Sequence, residues 1–155
     1  MNLANLLSVD QIIPSMGATQ HLDAIVELVD FLVEGEYFAA GDRDEVLGAL
    51  QEREDKISTG IGSGVAIPHA FSNRAERVVA AFGRSQDGID FESLDNAPVH
   101  FIVLFIVPKK EYHLHLKTLA AIAKLFTNRD VRKQLNDAVS AEEIHQIFAS
   151  RPARA

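Results

Sequence analysis

The chain has 155 residues and no cysteine. That absence removes a disulfide framework, thiolate zinc sites, iron–sulfur ligation and a cysteine nucleophile together. Basic residues are scarce beside acidic ones, 15 Lys and Arg against 22 Asp and Glu, for a formal charge of -7. Such a chain gains little from a phosphate backbone, so nucleic-acid binding is not expected. Long apolar runs are missing as well. The longest, Phe101 to Val107, is far short of a membrane span. The opening MNLANLLSVDQIIP lacks the basic start and sustained apolar run of a signal peptide. These exclusions leave a soluble, cytoplasmic protein with no membrane insertion.

What is present is an ordinary globular balance, 47% hydrophobic and 24% charged. The length suffices for one core without a metal or disulfide staple. The expectation is therefore a single domain over 1–155, with an ordered core from roughly 3 to 150 and a fraying tail, RPARA. Leu22, Ile25, Val26, Val29 and Val33 recur at helical spacing, with Thr19 as N-cap. Asp42 to Glu54 reads as a second helix with Val46, Leu47 and Leu50 on one side. The stretch STGIGSGVAIPHAFSN reads as loop enclosing a short strand near Gly64 to Ile67. Arg77 to Arg84 reads as a strand, followed by a turn-rich connection. Val99 to Val107, apolar on both sides, predicts a central strand covered on both faces. Helices are predicted over 112–126, 129–138 and 141–149. Interleaved helices and strands give an α/β class, a mixed central sheet with helices on both faces.

The chemistry concentrates in Arg53 to Ala70, REDKISTGIGSGVAIPHA. Gly60, Gly62 and Gly64 allow a tight backbone path whose N–H groups can converge on an anion. Ser58 and Thr59 add hydroxyls, Arg53 adds a cation, and Pro68 stiffens the approach to His69. The loop offers one imidazole beside several oxyanion donors. It is neither a P-loop nor a dinucleotide fingerprint. A plain turn with a surface histidine carries equal weight on spacing alone.

A second histidine strengthens the case. Tyr112, His115, Leu116, Leu119, Ile122, Ala123 and Phe126 form one helical stripe, so His115 opens the buried face just after the central strand. Helix N-termini and the carboxyl ends of strands are where anion sites gather. His113 lies about 200° away on the same helix, so the two do not converge as a chelate. His21 and His145 show no acidic partner at i+4, His100 reads as half-buried and structural, and the adjacent Glu54 and Asp55 read as a solvated face.

STGIGSGVAIPHA, from Ser58 to Ala70, resembles the active-site signature of fructose/mannitol-type EIIA domains of the bacterial phosphotransferase system. Arg53 and Glu54 match the family's RE, Gly88 to Phe91 with Leu94 and Asp95 its GIDF…LD, and His115 with Leu116, Leu119 and Ala120 its second-histidine helix. The resemblance implies a phosphocarrier of this α/β fold without metal, nucleotide or other cofactor. It implies that His69 accepts a phosphoryl group, as tele-phosphohistidine, from an HPr- or NPr-like carrier protein. His115 would support the imidazole, Arg53 would compensate charge, and Ser58, Thr59, Gly62 and Gly64 would cradle the phosphate. The family often has an acidic residue directly before the second histidine. Here Glu111 stands four residues before His115, which leaves a possible share of that role to His113.

Read as a stand-alone EIIA without EIIB or EIIC, and with an opening similar to the nitrogen-regulatory PtsN branch, the chain is expected to signal to regulatory protein targets. The alternative inside the family is a free-standing fructose or mannitol EIIA that passes phosphate to EIIB. The alternative from another class is a binding module without phosphotransfer, which the joint presence of Arg53, His69 and His115 disfavours.

Overall fold

A computed structural model describes residues 2–151. The predicted fraying of the tail falls at 152–155, outside the described residues. In chain order the elements are β1 (Ile12–Ile13), α1 (His21–Glu34), α2 (Arg43–Lys56), β2 (Gly60–Gly62), β3 (Val65–Ala66), β4 (His69–Ser72), β5 (Val79–Ile89), β6 (Val99–Pro108), α3 (Tyr112–Phe126), α4 (Arg129–Asp137) and α5 (Ala141–Ser150).

The most apolar segment becomes the strand on which the others assemble. β6 pairs antiparallel with β5 on one side and parallel with β3 and then β4 on the other, and the sheet runs β1-β5-β6-β3-β2. β1 lies parallel to β5, so the sheet is mixed. Successive side chains of β6 face opposite ways. Phe101, Val103, Phe105 and Val107 pack with Ile122, Leu135 and Phe148 of α3, α4 and α5. Ile102, Leu104 and Ile106 pack with Leu28 and Leu50 of α1 and α2. A strand with no polar face is stable only between two such layers. The expected α/β sandwich is the observed one.

Three local expectations shift. α1 begins at His21 after Gln20, with no side-chain cap. Thr19 does not cap it; its carbonyl accepts the N–H of Asp90 at 3.0 Å, tying the helix entry to the end of β5. The buried face of α1 is Ala24, Ile25, Leu28, Val29 and Leu32, rotated from the predicted stripe, and Leu22 is left 45% exposed. The strand expected to stop at Arg84 continues to Ile89. Register moves from Arg84 opposite Phe101 to Ile89 opposite Val99, a bulge that swings Gln86 and Asp87 into solvent. Gly88, at φ 92°, closes it. The polar composition of a bulge is what made it read as a turn.

Arg84 is 3% exposed and reaches across to the far layer. Its Nε donates to the Pro14 carbonyl at 2.9 Å, and its Nη1 donates to the carbonyls of Leu135, at 2.9 Å, and Ala138. A guanidinium at the C-terminal end of α4 also complements that end's negative dipole. Arg84→Met is expected to lower unfolding free energy by about 3 kcal/mol, because the buried carbonyls of Leu135 and Ala138 and the half-buried one of Pro14 lose their donor. A shift of the urea midpoint at unchanged slope measures it; an unchanged midpoint refutes the clamp.

Candidate functional site

The site begins at the end of α2, where Arg53 and Glu54 part company. Val46, Leu50 and Glu54 follow one another at i+4 on the buried face, so Glu54 is carried inward. Its carboxylate accepts His21 Nε2–H at 2.8 Å, the Thr59 N–H at 3.0 Å and the Thr59 hydroxyl. Burial pushes the Glu54 carboxyl up, but these donors outweigh it and hold the group below its ordinary value. Arg53 stands on the outer side and donates from Nη1 to the Ile57 carbonyl at 2.8 Å.

After this loop β2 and β3 form a tight hairpin. Ser63 and Gly64 both have positive φ, 58° and 79°, as a two-residue primed turn requires. The chain returns along β6, and the Ile67 N–H donates to the Thr59 carbonyl at 3.1 Å. Pro68 then delivers His69, the first residue of β4, opposite Phe105. His69 Nδ1–H donates to the Ile67 carbonyl at 2.8 Å. That bond fixes the tautomer and leaves the lone pair on Nε2. Burial lowers the pKa of His69. The bond to Ile67 and the Glu54 charge oppose that, while Arg53 adds to it, and the net direction is down.

His115, the fourth residue of α3, is 2% exposed. Its ring lies 6.0 Å from that of His69, centroid to centroid, and meets Phe105 at 5.0 Å and Phe71 at 5.7 Å. Within this apolar surround its Nε2 has no hydrogen-bond partner. Burial, with a smaller contribution from His69, pushes its pKa down to about 4. Both imidazoles are therefore neutral at pH 7. A shallow cleft of about 300 Å³ opens on His69, bounded by Arg53, Ile61, Ile67, Leu119 and Ala123. A neutral, half-exposed nucleophilic nitrogen, a cation and a buried imidazole lacking a partner suit the capture of an oxyanion-bearing electrophile.

The structure thus gathers His69, His115 and Arg53, and it leaves His113 in solvent against Tyr112. The remaining predicted phosphate ligands fare differently. Ser58 and Thr59 border the cleft, but their hydroxyl protons are taken by the Phe91 carbonyl, at 2.8 Å, and by Glu54. Gly62 and Gly64 are not brought to His69. The Gly64 carbonyl accepts the N–H of His100 at 2.8 Å, five residues from Phe105 along β6, which is roughly 16 Å at strand rise. The Asp95 carboxylate takes the neighbouring Ser63 N–H at 3.1 Å, so the hairpin tip already holds an anion of its own. The alternate glycines serve the turn and close packing instead: a Cβ on Gly60 would collide with Ser93. Among the described residues no group of three or more His, Asp or Glu side chains is arranged to hold a metal.

Residues 5–151 match the family model of the phosphoenolpyruvate-dependent sugar phosphotransferase system, EIIA 2. The chain belongs to that family. This EIIA chain is 36% identical over 126 residues to the fructose-specific EIIA component of Haloferax volcanii, covering 81% of this chain and 80% of that one. It is 32% identical to the nitrogen regulatory protein of Bradyrhizobium diazoefficiens, over 100% of this chain and 99% of that protein. Its fold superposes on the nitrogen regulatory protein IIA-Ntr of Neisseria meningitidis with a TM-score of 0.85 at 28% identity, covering 94% and 98% of the two chains. No helix among the described residues of this EIIA is long and apolar enough to cross a membrane.

Two residues of the EIIA site escape a sequence reading. Glu54 reads as solvated and His21 as unpartnered, because their contact spans 33 positions. The i+4 continuation of Val46 and Leu50 was the available signal for Glu54; His21 carries none.

The two depressed histidines make the fold acid-sensitive. The unfolded chain takes up imidazole protons near pH 6.5, whereas His115 resists protonation down to about 4. Between those values the unfolded state binds more protons, so stability falls as pH drops through the window. Thermal midpoints should fall less from pH 7 to pH 5 in His115→Leu than in the wild type. Equal falls would show that His115 does not carry the effect.

Proposed function

We propose that this EIIA is a cytoplasmic phosphocarrier of the nitrogen-regulatory branch, accepting a phosphoryl group on Nε2 of His69 from the phosphohistidine of an HPr- or NPr-like protein. The observation that carries the reading is the 2.8 Å bond that holds the His69 proton on Nδ1, donated to the Ile67 carbonyl. The donor ring is protonated on its other nitrogen. The Nε2 lone pair attacks phosphorus, the new P–N bond forms as the donor's P–N bond breaks, and the donor keeps that electron pair and leaves as neutral imidazole. His69 becomes the Nδ1–H phosphoimidazolium, its positive charge held by the bond to the Ile67 carbonyl. Transfer of this kind rests on positioning and charge compensation. Arg53 supplies the cation, and the Nε2 of His115, lacking a partner, gains one in a phosphoryl oxygen. Ser58 and Thr59 shape the loop, and Gly62 and Gly64 have no contact with the transferred group.

The surface around His69 suits a protein donor. Ile57, Ile61, Tyr112 and Leu116 are 45% to 56% exposed, an unusual density of apolar side chains for solvent. A partner seated on them would exclude water from the transferring group. Similarity over the whole length of a nitrogen regulatory protein supports the regulatory branch, with regulatory proteins as downstream targets. The second reading, sugar uptake through EIIB, is favoured by the similarity to a fructose-specific component.

Incubation with phosphoenolpyruvate, enzyme I and HPr or NPr should place an acid-labile, base-stable phosphate on the chain. His69→Ala should lose all label and remain folded, and His115→Ala should accept phosphate about 10²-fold more slowly, the usual effect of losing one oxyanion donor. Undiminished labelling of His69→Ala refutes the acceptor. Rapid transfer from the labelled chain to a fructose EIIB selects the sugar reading instead.

A further inference from the structure

A continuous line of hydrogen bonds joins helix α1 to the acceptor strand. His21 Nε2–H donates to Glu54, and Glu54 takes both the N–H and the hydroxyl of Thr59. The Thr59 carbonyl takes the Ile67 N–H, and the Ile67 carbonyl takes Nδ1–H of His69. The carboxylate at the middle of this line is 2% exposed by side chain, and its histidine partner 17%. His21 is itself seated against Phe91, ring centroids 4.0 Å apart.

We propose that Glu54, tethered by His21, is a positioning residue for phosphoryl acceptance: it fixes the Thr59 backbone, which sets the Ile67 carbonyl that selects the reacting tautomer of His69. This inference rests on the phosphocarrier reading given above. An ionised carboxylate suits the task because it accepts from all three donors at once, whereas an amide offers a single oxygen and turns its own N–H groups toward donors. A buried carboxylate with fewer donors would be driven to its neutral form. His21 thus keeps Glu54 charged, and that charge in turn acts on the His69 ring. Other charged groups facing Glu54 are Asp55 of its own helix and Asp90 and Glu92 across an open cleft; Arg53 faces away, toward His69. The pairing also sets the direction of Arg53, since consecutive helical residues point about 100° apart and an inward Glu54 holds Arg53 outward.

The test uses the full chain labelled with 15N at histidine, with and without the phosphoryl donor system. Glu54→Gln, Thr59→Val and His21→Phe each break one link, the last while keeping the stack on Phe91. Each should slow phosphoryl acceptance by about tenfold, in the range seen when a group that orients a reacting side chain is removed. The His69 ring nitrogens should show a raised fraction of the Nε2–H tautomer in all three. In Glu54→Gln the ring should also titrate at a lower pH, because a nearby negative charge is gone. Thr59→Ser, which restores the hydroxyl, should recover the rate and the tautomer. Wild-type rate and ring spectrum in folded Glu54→Gln would overturn the proposal. If Glu54→Gln does not fold, identical behaviour of Thr59→Val and Thr59→Ser overturns it equally. Failure of the wild type to accept phosphate would sink the phosphocarrier reading, while the tautomer measurement would still decide the role of Glu54.

Discussion

The hydrogen bond from His69 Nδ1 to the Ile67 carbonyl is the contact for which the surrounding architecture is arranged. A free imidazole interchanges its two neutral tautomers, so a nucleophilic nitrogen is present only part of the time. Anchoring one N–H on a backbone carbonyl removes that ambiguity. The carbonyl is reliable because the segment between β3 and β4 is itself pinned, to Thr59 on one side and to Phe105 through the Pro68 carbonyl on the other. β6 supplies that second support, and β6 is rigid because both its faces are buried.

Electrostatics and packing then divide the work. The apolar surround of Phe71 and Phe105 lowers the proton affinity of the histidine pair, which keeps both rings unprotonated at neutral pH. The same surround leaves His115 Nε2 without a partner. Such an orphan is normally a defect of order 1 to 3 kcal/mol. Here it lies 6.0 Å, ring to ring, from His69; on the phosphocarrier reading it is strain that an incoming oxyanion relieves.

The sequence made these features legible to different depths. β6 was plain, since nine residues from Val99 to Val107 with one polar interruption admit few other placements. α3 was equally plain, and its periodicity alone put His115 inward and His113 outward. The loop before His69 is legible through its motif, but the reason for its glycines is not. Their spacing suggested converging N–H groups, whereas the chain uses them for a hairpin tip and for contact with Ser93. The bulge in β5 was hidden because exposed polar residues look alike in a bulge and in a turn. The His21–Glu54 contact was beyond reach, being a tertiary pairing between two helices whose packing angle no local pattern encodes.

One turn of α3 holds both the buried His115 and the exposed Tyr112, Leu114 and Leu116. Around the helix Leu114 and Leu116 each point about 100° from His115 and Tyr112 about 60°, so the exposed side chains and the buried imidazole are adjoining sectors of a single rigid object. A donor that tilts this turn as it docks also resets the distance between the two imidazoles. On the phosphocarrier reading, a substitution in residues 112–116 acts on docking and on the imidazole pair together, whereas one at Ile61, on the opposite bank of the cleft, acts on docking alone.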